Sequence, residues 1–140
     1  MRRKIAGLVV VALVLSSLTA LAGDSEKEKA AASAAEKWLS LVDEGNYSDS
    51  WKEAAEYFRK AIKQEQWDQS LQAARKPLGK LVSRKLKNAT YKTSLPGAPD
   101  GEYVVIQFNT SFENKKTAIE TVTPMMDKDG KWRVSGYYIN

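Results

Sequence analysis

Residues 103–112 read YVVIQFNTSF, and the fold turns on how this stretch is read. Val104, Ile106, Phe108, Thr110 and Phe112 fall on one side of an extended chain, and Tyr103, Val105, Gln107 and Asn109 on the other. Such alternation marks a strand with one face buried. The β-branched and aromatic content agrees, because these side chains suit a pleated, half-buried surface.

Strands extend outward from this segment in both directions. Residues 117–126 form the next one, Asp129-Gly130 is a two-residue hairpin signal, and Lys131 to Ile139 form the last. Upstream, Pro96-Gly97-Ala98-Pro99-Asp100-Gly101 is a turn cluster. Before it, residues 80–95 are rich in β formers, but Val82 and Leu86 share one parity while Ala89, Tyr91 and Thr93 share the other. That change of phase predicts a bulge near Asn88.

Two hairpins set an expected register. A turn at Asn114-Lys115 places Phe108 opposite Thr121 and Asn109 opposite Glu120; a turn at Asp129-Gly130 places Thr121 opposite Tyr138 and Met125 opposite Val134. Opposed side chains share a face. The expected inner face therefore carries Thr110, Ile119, Thr121, Thr123, Met125, Trp132, Val134 and Tyr138 beside the apolar residues of 104–112. Tyr103, Val105, Glu120, Val122, Arg133 and Tyr137 are expected on the reverse face. Pro124 conflicts with an interior strand, since it has no N–H to donate, so a bulge or kink is expected there. A bulge would flip the parity on one side of it.

The chain before residue 80 has helical spacing. Ser25-Glu26-Lys27-Glu28 is a capping-box pattern, Ala31, Ala35, Trp38 and Val42 follow at helical intervals, and Gly45-Asn46 is a stop signal. A second capping box at Ser50–Glu53 leads into the stripe Trp51, Ala54, Ala55, Phe58, Ile62. A third stripe, Trp67, Leu71, Ala74, Leu78, ends at Pro77 and Gly79. The tryptophans of these three stripes read as core. The whole predicts an α+β fold with three N-terminal helices packed on a four-stranded antiparallel meander.

Residues 1–22, MRRKIAGLVVVALVLSSLTALA, have the form of a secretion signal: Arg2, Arg3 and Lys4, an apolar run from Ile5 to Leu15, and Ala20-Leu21-Ala22 before a cleavage point. The expected mature chain is a single domain over residues 23–140, periplasmic or secreted, touching the membrane only through the signal before cleavage. The three N-terminal cations account for three of the five net positive charges, leaving +2 on residues 23–140. Its Lys and Arg are interleaved with Glu and Asp, which argues against nucleic acid as a partner. There is no Cys and no His, which removes disulfides, thiol chemistry, the commonest general base and the commonest transition-metal ligand. Asp127-Lys128-Asp129-Gly130 echoes the start of a calcium loop, but Trp132 and Tyr138 stand where that loop needs Gly and Glu, so no metal is expected.

Arg75-x-Pro77-Leu78-Gly79, Arg84, Ser94–Tyr103, Glu120-Thr121-Val122-Thr123-Pro124-Met125 and Trp132–Tyr138 resemble the domain of unknown function 4019 family, from about Ala30 to Ile139. The resemblance implies an exported bacterial domain without an assigned activity. It also implies an outline like the cystatin-like cone of nuclear-transport-factor-2-like domains, whose sheet often encloses a pocket. It supplies no catalytic residues, and fold does not by itself imply function.

With Glu120 expected outside, the inner polar groups are hydroxyls, none of them a base near neutral pH. The expectation is a non-catalytic interaction module without cofactor, a homodimer or a binder of an envelope protein, docking through Tyr103, Val105, Val122, Arg133 and Tyr137. The alternative is a binder of a small apolar ligand in the cone, held by Thr110, Thr121, Thr123, Tyr138 and Trp132.

Overall fold

The computed structural model describes the backbone of residues 2–140 and the side chains of residues 23–140. The expected secretion signal, residues 1–22, lies outside the fully described residues. The order is α1 (Arg2–Asp43), α2 (Tyr47–Glu53), α3 (Glu56–Ala61), α4 (Gln64–Ala74), a 3₁₀ turn (Lys76–Leu78), then β1 (Leu81–Lys92), β2 (Tyr103–Phe112), β3 (Lys115–Met126) and β4 (Trp132–Ile139). The strands form one open antiparallel sheet in the order β1-β2-β3-β4. This is the expected α+β class, with helices followed by a meander.

The helical region is more broken than its stripes predict. The second stripe is split at Ala54 and Ala55, whose backbones are extended, and Ala55 N–H donates to Val134 O of β4 at 2.8 Å. That bond to the sheet takes the place of a helical one. Ser25–Glu28 lies inside α1 and is not its start. Ser50 lies inside α2 and caps nothing: fully buried, it donates to Tyr47 O and accepts the indole N–H of Trp67 at 2.9 Å, while its own carbonyl accepts that of Trp38 at 2.8 Å. α4 starts without a capping hydroxyl; instead Gln66 Oε1 accepts the N–H of Lys63.

Ala31, Ala35, Trp38, Leu39 and Val42 of α1 join Trp67 and Leu71 of α4 over Val104, Ile106, Phe108, Val122 and Val134 of the sheet. Trp38 packs on Trp67 and edge-on to Tyr137, and Phe58 edge-on to Trp67. Each fully buried Val, Leu, Ile or Phe side chain among them contributes roughly 1.5–3 kcal/mol of transfer free energy.

The register differs from expectation at two bulges. The β2–β3 turn is Glu113-Asn114, with Phe112 paired to Lys115. This displacement alone would keep every side chain on its expected face, because the pairing shifts by two residues. The extra residue at Lys116-Thr117 opposite Ser111 shifts the pairing by one and reverses the face of β3. Phe108 therefore faces Glu120, and Ile106 faces Val122. On β4 the expected pairing of Thr121 with Tyr138 holds, but Pro124 pairs with Val134. Ser135-Gly136 is the extra segment, opposite Thr123 and beside Pro124. Thus the irregularity expected at Pro124 exists, and the partner strand carries it, with Ser135 Oγ donating to Thr123 O at 2.7 Å. The bulge near Asn88 is present between Leu86 and Asn88.

Candidate functional site

The first consequence of the register is a buried charge network. Glu120, fully enclosed, accepts Thr110 Oγ1 at 2.6 Å, Arg84 Nε at 2.7 Å and Arg84 Nη2 at 3.2 Å, and a short hydrogen bond from the Tyr137 hydroxyl. Arg84 also reaches Asp43 through Nη1 at 2.8 Å and Nη2 at 3.0 Å. Arg75 Nη2 approaches Asp43 Oδ1 at 3.3 Å, its Nη1 donates to Gly79 O at 2.6 Å, and its guanidinium lies 4.5 Å from the Phe112 ring centre. One residue comes from α1, one from the end of α4 and one from each strand. Two carboxylates meet two guanidinium groups, so the cluster is internally neutral.

Burial works against the Arg84 cation, but its hydrogen bonds to Asp43 and Glu120 outweigh that and push its pKa up. Burial, and then the charge of Glu120 and the hydrogen bond to it, push the Tyr137 phenol well above its ordinary value. None of these groups lines the groove between α1, α2 and β4, the cleft beside Asp127 or the cleft between α1 and Leu86. The network is a junction between helices and sheet.

The second feature is an open groove of about 800 Å³ between α1, α2 and β4. Ala34, Trp38, Leu41, Trp132 and Val134 give it apolar surface; Lys37, Lys52, Lys131, Arg133, Asp49 and Glu53 line it with charge. Three indoles are spent inside the protein, Trp38 and Trp67 on Ser50 and Trp51 on Ile62 O. Among the described residues, the indole N–H of Trp132 has no such acceptor, and Trp132 is the half-buried one at the groove.

The expected site residues scatter. Of the expected ligand set, Trp132 alone lines the groove. Thr110 is buried in the charge network. Thr121, Thr123 and Tyr138 stand on the reverse face: Thr121 is buried, Thr123 half-buried and Tyr138 57% exposed. The expected partner face also needs correction. Val122 and Tyr137 point inward: the bulge on β3 turns Val122, and Tyr137 turns with it because the two stay paired, while the bulge on β4 keeps Val134 and Trp132 on the inner face. Tyr103 does face outward but is buried under the loop that returns from β1, with its hydroxyl on Pro99 O at 2.6 Å. Val105 is half-buried, and Arg133 lines the groove, held by Asp129 and Glu53. Sequence reasoning missed the network: Arg75, Arg84 and Glu120 stand out only as positions of the family resemblance, Glu120 is expected on the reverse face, and nothing singles out Asp43.

Asp127 is committed to the fold, accepting the N–H of Glu56 and of Lys128, and Asp129 to Arg133. No group of three or more acidic, His or Cys side chains among the described residues could hold a metal. No helix among them is long and apolar enough to cross a membrane.

Fold and site together define a small helix-on-sheet domain with a structural charge cluster and one large groove. The chain belongs to the family described as "Protein of unknown function (DUF4019)", whose pattern it matches over residues 34–137. No curated protein and no solved structure matches it.

Proposed function

We propose that the chain is exported and serves, without catalysing a reaction, as a binding module whose site is the groove between α1, α2 and β4. The groove carries the reading: it has the volume and the apolar surface with a few polar groups that small-molecule sites share. The unspent N–H of Trp132 adds a donor at that surface. The fully buried carboxylate, Glu120, is saturated by Arg84, Thr110 and Tyr137 and stands apart from the groove lining. The likeness to cystatin-like cones belongs to the same proposal.

Native mass spectrometry of protein recovered from the periplasm tests it. A retained mass is expected that is lost in Trp132→Asp; a bare chain in every preparation, or a retained mass indifferent to this substitution, counts against it. N-terminal sequencing of the same material should begin at Gly23.

A second reading keeps the reverse sheet face as a docking surface for a second copy or an envelope protein, since Tyr138, near the end of the edge strand β4, stays 57% exposed there. Light scattering on the wild type and on Tyr138→Asp tests the self-association arm. A concentration-dependent dimer abolished by the substitution supports it, and a monomer at all concentrations removes it.

A further inference from the structure

We infer that the groove takes an amphiphile with an apolar chain and an anionic head, a long-chain carboxylate being the simplest member of that class. This rests on the groove being the binding site and names what binds there. The floor formed by Ala34, Leu41, Trp132 and Val134 offers apolar surface to a chain. The charge around it is unbalanced. Lys37 of α1, Lys52 of α2 and Lys131 of the β3–β4 loop line the groove, and among the described residues none of the three is held in an ion pair. Arg133 and Glu53, by contrast, neutralise each other at 3.3 Å. Asp49 is the single lining carboxylate without a cation on it. Three unpaired ammonium groups around an apolar floor complement a chain that ends in a carboxylate, and the flexible lysine stems let the head be met without rebuilding the groove.

Two smaller clefts lack this combination. The one beside Asp127, of about 250 Å³, is lined by charges that largely satisfy one another. The one between α1 and Leu86, of about 360 Å³, sets Glu28 and Glu36 against a single Lys29.

Tryptophan fluorescence of the full chain, titrated below the micellar range with dodecanoate, dodecanol and dodecyltrimethylammonium, separates chain from head. Dodecanoate is expected to bind about tenfold more tightly than the other two, a difference of roughly 1.4 kcal/mol. Added salt should erode the preference. Replacing Lys37, Lys52 and Lys131 together by Gln should abolish it and leave the thermal midpoint unchanged; Trp132→Phe should remove most of the signal. Equal binding of the three probes overturns the anionic class while leaving the groove as an apolar site. Binding of none of them overturns both.

Discussion

Asp43 is the last residue of α1, where the helix dipole presents its negative end and a carboxylate is unwelcome. Arg75 and Arg84 offset this from two sides, and Arg84 passes the charge on to Glu120. Removing one partner of a buried pair leaves the other uncompensated. Arg84→Met should therefore cost about 3–5 kcal/mol in urea unfolding. The double variant Arg84→Met, Glu120→Gln should cost clearly less than its two single changes added together, because the stranded carboxylate is gone. Strict additivity would mean that the two side chains do not stabilise each other. Tyr137 gives the cluster a pH signature. In the unfolded chain its phenol ionises near pH 10, roughly the ordinary value. In the folded protein burial and then Glu120 hold the proton to higher pH. Above about pH 10 the folded state thus binds more protons than the unfolded one, so stability falls as pH rises. Tyr137→Phe should be less stable at neutral pH, and its stability should fall less between about pH 9 and 11. Parallel pH profiles for the two proteins would contradict this assignment.

The β2–β3 hairpin shows how a neighbouring element decides a register. Its turn residues Glu113 and Asn114 have no positive φ, so it lacks the primed turn that two-residue hairpins prefer. It is held from outside: Glu113 N–H donates to Lys80 O at 2.8 Å, Asn114 N–H to Leu78 O at 2.9 Å, and Asn114 Nδ2 to Pro77 O at 3.0 Å. Gly79 makes this approach possible. Its φ is +77°, and a Cβ there would lie 2.6 Å from Glu113 Oε1 and 3.0 Å from Glu113 Cβ. Gly79→Ala should cost roughly 1–3 kcal/mol from backbone strain, with more from the contact. Hydrogen exchange should show the loss concentrated at residues 113–118, and a wild-type midpoint would refute it. This arrangement also explains what could be read in advance. The alternation of 103–112 is local, so the inner residues of β2 were legible. The face of β3 depends on one extra residue at Lys116-Thr117, fixed by where the 3₁₀ turn meets the hairpin, and no local pattern records it. Asp129-Gly130 shows the milder case. The hairpin is where its sequence places it, but the loop has three residues, with Gly130 at φ +78° and Asp127 N–H bonded to Lys131 O. Trp132 kept its expected inner face and lines the groove, whereas Thr110 kept its face too but is held in the charge network.

For the molecule as a whole, the helices engage the sheet only from Lys27 onward among the described side chains. Lys27 pairs with Glu102 at 3.0 Å and lies over the Tyr91 ring, while Glu28 accepts the N–H of Tyr91 at 3.0 Å. The Lys27 ammonium, with help from the Tyr91 hydroxyl, holds the Glu102 carboxyl below the usual carboxylate range. A carboxyl depressed in the folded state stabilises it at neutral pH, and that contribution is lost as pH falls through the folded value. The core residues of α1 start later still, at Ala31. A chain beginning at Gly23 therefore keeps every one of these contacts, whereas a chain beginning at Ala30 keeps the α1 core but loses both ties to Tyr91 and Glu102. The Gly23 chain is expected to unfold cooperatively with native packing, read from near-UV circular dichroism of its buried tryptophans. The Ala30 chain should fold as well but unfold at lower urea, and the gap between the two should narrow from pH 7 to pH 3 as Glu102 takes up its proton. A Gly23 chain without near-UV signal would mean that the first 22 residues belong to the folding unit. A gap that stays constant with pH would mean that the Lys27–Glu102 pair does not bind the start of α1 to the sheet.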